Sequence, residues 1–236
     1  MSSYDSDLFE LTQEGRIYTL TMCKDDNRIT KRFLDEINTI LDHLDATEEP
    51  IILVLASRHP TIFCNGFDID ELMKDPEVLT ARLGMLGFRI LAASYVTIAM
   101  INGHAYAGGA YLAISCDYKV MRKERGYICF NEGEIGLKIP QPLYDFSLSA
   151  RISVSVIHEL AALCSKFTAE EAVTRGIIQT AVTQNDLKRV TYDIAGRFAE
   201  RNLSRKVLKE TKMLLYREQA ERIPEWKQKI AKANLQ

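Results

Sequence analysis

The stretch VTIAMINGHAYAGGAYLAISCD, residues 96–117, decides the fold. Val96–Ile101 is a short apolar run rich in β-branched residues, as expected of a parallel strand buried on both faces. Asn102-Gly103 breaks it. The small residues from Ala105 to Cys116 then predict a helix that packs closely against its surroundings. A buried strand that turns on glycine into a buried helix belongs to a layered α/β core.

Outward from this unit the pattern repeats. Ile51–Ala56 (IILVLA) is a second buried strand, and Arg16–Cys23 alternates as a half-buried strand does. Between them, Phe33, Ile37, Ile40, Leu41 and Leu44 recur at helical spacing. A helix is predicted near Val78–Ala93, and short strands at Asp117–Met121 and Tyr127–Phe130. Past Pro142 the pattern is mostly helical. Thr168 with Glu171 forms a capping box, and Gly176 suits the matching C-cap. Helices are expected over Asp186–Asn202 and Ser204–Asn234, the last interrupted by Pro224. We therefore expect an α/β core over residues 1–190, with C-terminal helices over 191–236 for capping or oligomer formation.

Bulk properties narrow the function. A net charge of −2 over 236 residues gives no basic field for nucleic acid or an anionic membrane. No apolar run reaches the ~20 residues of a membrane span. Met1–Asp7 is polar and acidic, unlike a signal or transit peptide. The five cysteines (Cys23, Cys64, Cys116, Cys129, Cys164) are odd in number and contain no CxxC pair, which fits a reducing compartment and core thiols. The four histidines lack ligand spacing, so no metal is expected. The Lys- and Arg-rich region from Lys206 to Lys232 reads either as a solvated helix face or as contacts to an anionic ligand's phosphates.

Two glycine turns can carry chemistry: Ile62–Asp68 (IFCNGFD) and Asn102–Ala110 (NGHAYAGGA). Glycine lets the backbone approach a ligand, and a helix start offers unpaired N–H groups. Two such turns on neighbouring strands can aim two donors at one oxygen, which makes an oxyanion hole. Neither the GxxxxGK[ST] nor the GxGxxG nucleotide loop is present.

These segments resemble the crotonase (enoyl-CoA hydratase/isomerase) superfamily. FCNGFDI resembles its [AS]-x-G-x-D motif, NGHAYAGGAYLAISCD its NG-x-A-x-G-G motif running to CD, and Phe130–Leu137 (FNEGEIGL) the segment with a catalytic Glu four residues before a Gly. The resemblance spans roughly Arg16 to Val182. It implies a spiral of ββα units with C-terminal helices, assembling as a homotrimer or hexamer, and an acyl-CoA thioester as substrate with no further cofactor. It implies oxyanion donors at the Phe67 and Gly108 amides. It also implies CoA or substrate contacts around Arg28, Ala56, Phe63, Cys64, Asn65, Gly66, Asp68, Ile69, Ala107, Gly109 and Tyr111. Asp70 stands where many members carry a phosphate-binding Lys.

Hydration of a 2-enoyl-CoA in this family takes two carboxylates. Alignment on Cys116-Asp117 puts Tyr111 at the first position, while Glu132 keeps the second; Tyr111 reads equally as a packed core residue. One carboxylate suffices to carry a proton from C2 to C4 of a 3-enoyl-CoA, the Δ3,Δ2-enoyl-CoA isomerase reaction, and the segment is most similar to plant-type isomerases. Spacing to Gly136 favours Glu132 as base, with Glu134 second, and Ile135, Leu137 and Ile139 are expected around it. A hydratase, a thioesterase and a silent binding protein are the competing readings. The family's role in β-oxidation suggests a peroxisomal setting, although the chain ends Asn234-Leu235-Gln236 without a targeting tripeptide.

Overall fold

The computed structural model describes residues 4–233; the C-terminal tripeptide and the first three residues, to which the targeting expectations refer, lie outside them. Strands β1 (Tyr4–Asp5), β2 (Phe9–Glu14) and β3 (Ile17–Met22) run antiparallel at one edge of a seven-stranded sheet. Its other strands, β4 (Ile52–Ser57), β6 (Val96–Ile101), β8 (Tyr118–Arg122) and β10 (Thr180–Val182), pair in parallel in that order beyond β3. A second, all-parallel sheet joins β5 (Ile62–Cys64), β7 (His104–Tyr106) and β9 (Ile128–Cys129).

The two sheets alternate along the chain. Each of β4–β5, β6–β7 and β8–β9 gives its first strand to the large sheet and its second to the small one. Helical segments follow each pair: α2 (Ile69–Lys74) and α3 (Pro76–Leu91), then α4 (Gly108–Ser115), then a 3₁₀ turn at Glu132–Ile135. This is the repeated ββα unit, and it places the ends of the three short strands side by side.

The helices form where the apolar spacing puts them. α1 (Lys31–Asp45) buries Phe33, Leu34, Ile37, Ile40, Leu41 and Leu44, and the Thr30 hydroxyl accepts from the Phe33 amide at its start. All eight residues of α4 are buried, as the small-residue run requires. After Pro140 come three short helical segments, α5 (Gln141–Leu143), α6 (Ser149–Arg151) and α7 (Val154–Ile157), interleaved with π-helical turns at Tyr144–Leu148 and His158–Ala162. α8 (Ala169–Thr174) starts on the complete Thr168/Glu171 capping box, and left-handed Gly176 follows it.

α9 (Gln184–Glu200) lays Leu187, Ile194 and Ala195 against Val54, Val96, Ile98 and Val120 of the large sheet. It runs unbroken across residue 190, so a division there falls inside a helix that belongs to the core. α10 (Arg205–Leu215), α11 (Arg217–Ala220) and α12 (Ile223–Ala233) complete the chain. Pro224 sits in the first turn of α12, where its missing N–H removes no helical bond, so it opens this helix and does not interrupt one.

Buried and half-buried polar groups tie these helices to the core. Asp117 accepts from the Thr97 amide (2.9 Å), from Arg151 (2.8 Å) and from Lys212 of α10 (2.6 Å). Lys212 is 5% exposed, so this part of the cationic C-terminal region holds structure. All five cysteines are free thiols; Cys64, Cys116 and Cys129 are buried, and Cys23 and Cys164 are half-buried. No described helix is long and apolar enough to cross a membrane.

Candidate active site

The three short parallel strands end at one place. β5 leads into Gly66-Phe67, β7 into Ala107-Gly108, and β9 through Phe130-Asn131 into Glu132. Parallel sheets put ligands at the carboxyl ends of their strands. Here those ends border a cleft of about 660 Å³ whose walls include Asn65, Phe67, Ala107, Asn131 and Glu132.

Gly66 has φ +77°, and a methyl group on it would lie 2.9 Å from the Ala107 Cβ and 3.1 Å from the Gly108 nitrogen. Only glycine meets both conditions, and the two turns touch because it does. The loop is fixed from behind: the Ile29 amide donates to the Gly66 carbonyl (2.8 Å) and the Asp68 amide to the Ile29 carbonyl (3.1 Å). Those bonds leave the Phe67 amide out. Among the described residues neither the Phe67 nor the Gly108 N–H donates to a protein acceptor. Gly108 also begins α4, whose positive dipole end faces the same region. Ala107 adopts φ +50°, ψ −122°, a conformation that costs a non-glycine residue about 1–3 kcal/mol.

Glu132 is 9% exposed, and its Oε2 is sealed from solvent with no hydrogen-bond partner. Burial pushes its pKa up to about 7, against a smaller lowering by its own backbone amide. The Leu137 amide donates to the Glu132 carbonyl at 2.9 Å and closes the turn. Glu134, two residues on, turns away: it is exposed, pairs with Lys166 at 3.0 Å and does not line the cleft. Ile135 and Leu137 line the cleft, whereas Ile139 packs against the core.

The structure separates the other expected contacts. Arg28, Asn65, Ile69 and Ala107 line the cleft with Phe67. Arg28 also braces the first motif, donating to the Asn65 (2.9 Å) and Phe67 (3.3 Å) carbonyls. Ala56, Phe63 and Cys64 are buried strand residues that do not face the cleft. Asp68 caps α2 by accepting from the Glu71 amide at 2.9 Å. Gly109 is a packing position, since a methyl there would collide with the Cys64 carbonyl.

Tyr111 is corrected from pocket residue to core residue. It is fully buried, its hydroxyl donates to the Gly84 carbonyl at 3.0 Å, and its ring fills the space that Gly87 leaves on α3. The position that would hold a second carboxylate is thus sealed away from the cleft. Among the described cleft residues, the one carboxylate besides Glu132 is the exposed Glu77 at the start of α3.

Sequence reasoning missed several cleft residues: Leu72, Met73, Pro76, Thr80, Asn131, Lys138, Pro140, Pro142, and Trp226 of α12; Lys229, from the cationic C-terminal region, lines the cleft as well. It also missed Asn27, a 1% exposed side chain that donates to Ser57 (2.8 Å) and to the Phe63 carbonyl (2.9 Å), clamping the strand that carries the first motif.

Comparison with known proteins gives the family. The family profile described as enoyl-CoA hydratase/isomerase matches residues 13–234. Enoyl-CoA delta isomerase 3 of Arabidopsis thaliana is 28% identical over 180 residues, 72% of this chain and 75% of that protein. Enoyl-CoA delta isomerase 2, peroxisomal, of the same plant is 29% identical over 187 residues, 75% of this chain and 78% of that one. A short-chain-enoyl-CoA hydratase of Clostridium acetobutylicum is 23% identical over 194 residues, 79% of this chain and 73% of that protein. Among solved structures, an enoyl-CoA hydratase of Mycobacterium marinum superposes with a TM-score of 0.84 at 24% identity, covering 95% of this chain and 98% of that one; at that identity the likeness is one of fold. The profile match takes in every strand end that builds the cleft, and the chain belongs to the enoyl-CoA hydratase/isomerase family of the crotonase superfamily.

Proposed function

We propose that this protein is a Δ3,Δ2-enoyl-CoA isomerase acting in the oxidation of unsaturated fatty acids. One observation carries the reading: a single buried carboxyl, Glu132, lines a cleft with Phe67 and Ala107, at the two turns whose Phe67 and Gly108 amides are unpaired, while Tyr111, at the position the resemblance assigns to the second hydratase carboxylate, is locked in the core. Glu132 in its carboxylate form takes a proton from C2 of the 3-enoyl thioester. The negative charge moves to the thioester oxygen, held by the Phe67 and Gly108 N–H groups. The same carboxyl then returns the proton at C4, leaving the 2-enoyl thioester and the starting carboxylate. Neither step needs water, and the apolar walls suit that. CoA enters as the substrate's own handle, with Arg28 beside the cleft for its charged part.

Trimeric or hexameric assembly and a peroxisomal setting belong to the same reading. The exposed Val207, Leu214 and Leu215 of α10 offer apolar surface to an assembly. A second reading, hydration, rests on Glu77, the other carboxylate among the described residues that line the cleft.

The pH profile tests the proton shuttle. Only ionised Glu132 accepts a proton, and its pKa is raised to about 7. We expect kcat/KM for 3-enoyl-CoA, followed by absorbance of the conjugated product, to climb as pH rises through about 7 and then level off. A profile flat from pH 5 to 9, or one falling with pH, would count against Glu132 as base.

A further inference from the structure

Resting on the acyl-CoA reading, we propose that Trp226 is the end wall of the acyl arm and sets the longest chain the cleft accepts. The cleft that holds Phe67, Ala107 and Glu132 is also walled by residues of α2, α3 and α12. Arg28 stays at the first turn, donating to the Asn65 and Phe67 carbonyls. Leu72, Met73, Pro76, Pro142 and Trp226 supply apolar wall, and Thr80, Glu77 and Lys229 polar wall. In this proposal the CoA part lies toward Arg28 and the acyl chain runs along the apolar wall toward α12.

The indole is built in as a wall. It is 6% exposed and belongs to a buried cluster with Ala81, Phe88, Leu91, Ala92 and Phe146. Within that cluster Phe88 and Phe146 meet at 5.8 Å between ring centroids. The Lys229 ammonium sits 3.9 Å over the ring centre and is itself paired with Glu225 at 2.8 Å. Arg222, one residue before α12, pairs at 3.4 Å with Asp145, a buried carboxylate on the π-helical turn that carries Phe146. The helix is thus held at both the indole and its entry. Removing the indole from this cluster leaves room that its neighbours cannot refill without backbone movement.

The test uses saturated acyl-CoAs of increasing length, which have no double bond to shift. Their affinity is therefore independent of whether the protein isomerises anything. Each added methylene should tighten Kd by about fourfold while the arm has room, and the gain should stop at one length in the wild type. In Trp226→Ala the gain should continue to longer chains, while Trp226→Phe should keep a break near the wild-type length. Trp226 is the chain's single tryptophan, so wild-type emission should change at the break and not before. This second readout stands if the alanine variant does not fold. A break at the same length in folded Trp226→Ala, or emission unchanged at every length despite binding, would overturn the proposal. Failure to bind any acyl-CoA would overturn it together with the reading beneath it.

Discussion

Glu132→Gln is expected to slow double-bond migration by about 10²–10⁴-fold, the usual contribution of a positioned general base, with acyl-CoA affinity nearly unchanged. Glutamine keeps the shape of the side chain and removes its proton affinity. Glu134→Gln should leave the rate close to wild type, because that carboxylate is exposed and paired with Lys166 at 3.0 Å. Rate measurements on both variants with one 3-enoyl-CoA, alongside calorimetric Kd values for a saturated analogue, separate the two. Equal losses in both, or loss in Glu134→Gln alone, would move the base.

Gly66→Ala should lower kcat by about 10²–10³-fold, the effect of losing one oxyanion donor. The added methyl would meet the Ala107 Cβ at 2.9 Å and the Gly108 nitrogen at 3.1 Å, on a backbone at φ +77°. Relief requires the first and second turns to move apart, so the two amides no longer reach one oxygen. Strain alone would also reduce stability, and Gly15→Ala controls for that. Gly15 has φ +58° with nothing within 4 Å of an added methyl. There the change should cost about 1–2 kcal/mol in urea unfolding and leave kcat intact. Comparable kcat in Gly66→Ala and wild type would remove the two-amide site from the mechanism.

Much of this was legible along the chain because the signals are local. The apolar runs 51–56 and 96–101, the periodic apolar face of α1, and the Thr168/Glu171 box each depend on neighbouring residues alone. The glycine turns were legible for the same reason, and with Glu132 they mark all three strand ends at the cleft. The division into two sheets was not, because β5, β7 and β9 are two or three residues long and too short for any periodicity to show.

The misplaced contacts share a cause. Tyr111 is made a core residue by Gly84 and Gly87, which lie on another helix, and their three-residue spacing in α3 was the available hint that something large packs there. Phe63 and Cys64 belong to the motif in sequence and Ala56 to the strand before it, but all three are buried strand residues. Trp226 reaches the cleft from the last helix, 94 residues after Glu132, and nothing in its own neighbourhood announces that. Asn27 likewise becomes a clamp only when β4 and β5 are in place.

The most direct measurement offers the purified protein a 3-enoyl-CoA and, separately, the matching 2-enoyl-CoA in water, and compares the two rates. A single-carboxyl shuttle predicts rapid conversion of the first to the conjugated thioester and hydration of the second slower by orders of magnitude. Hydration as fast as isomerisation, or no double-bond shift at any chain length while acyl-CoA binds, would contradict the account.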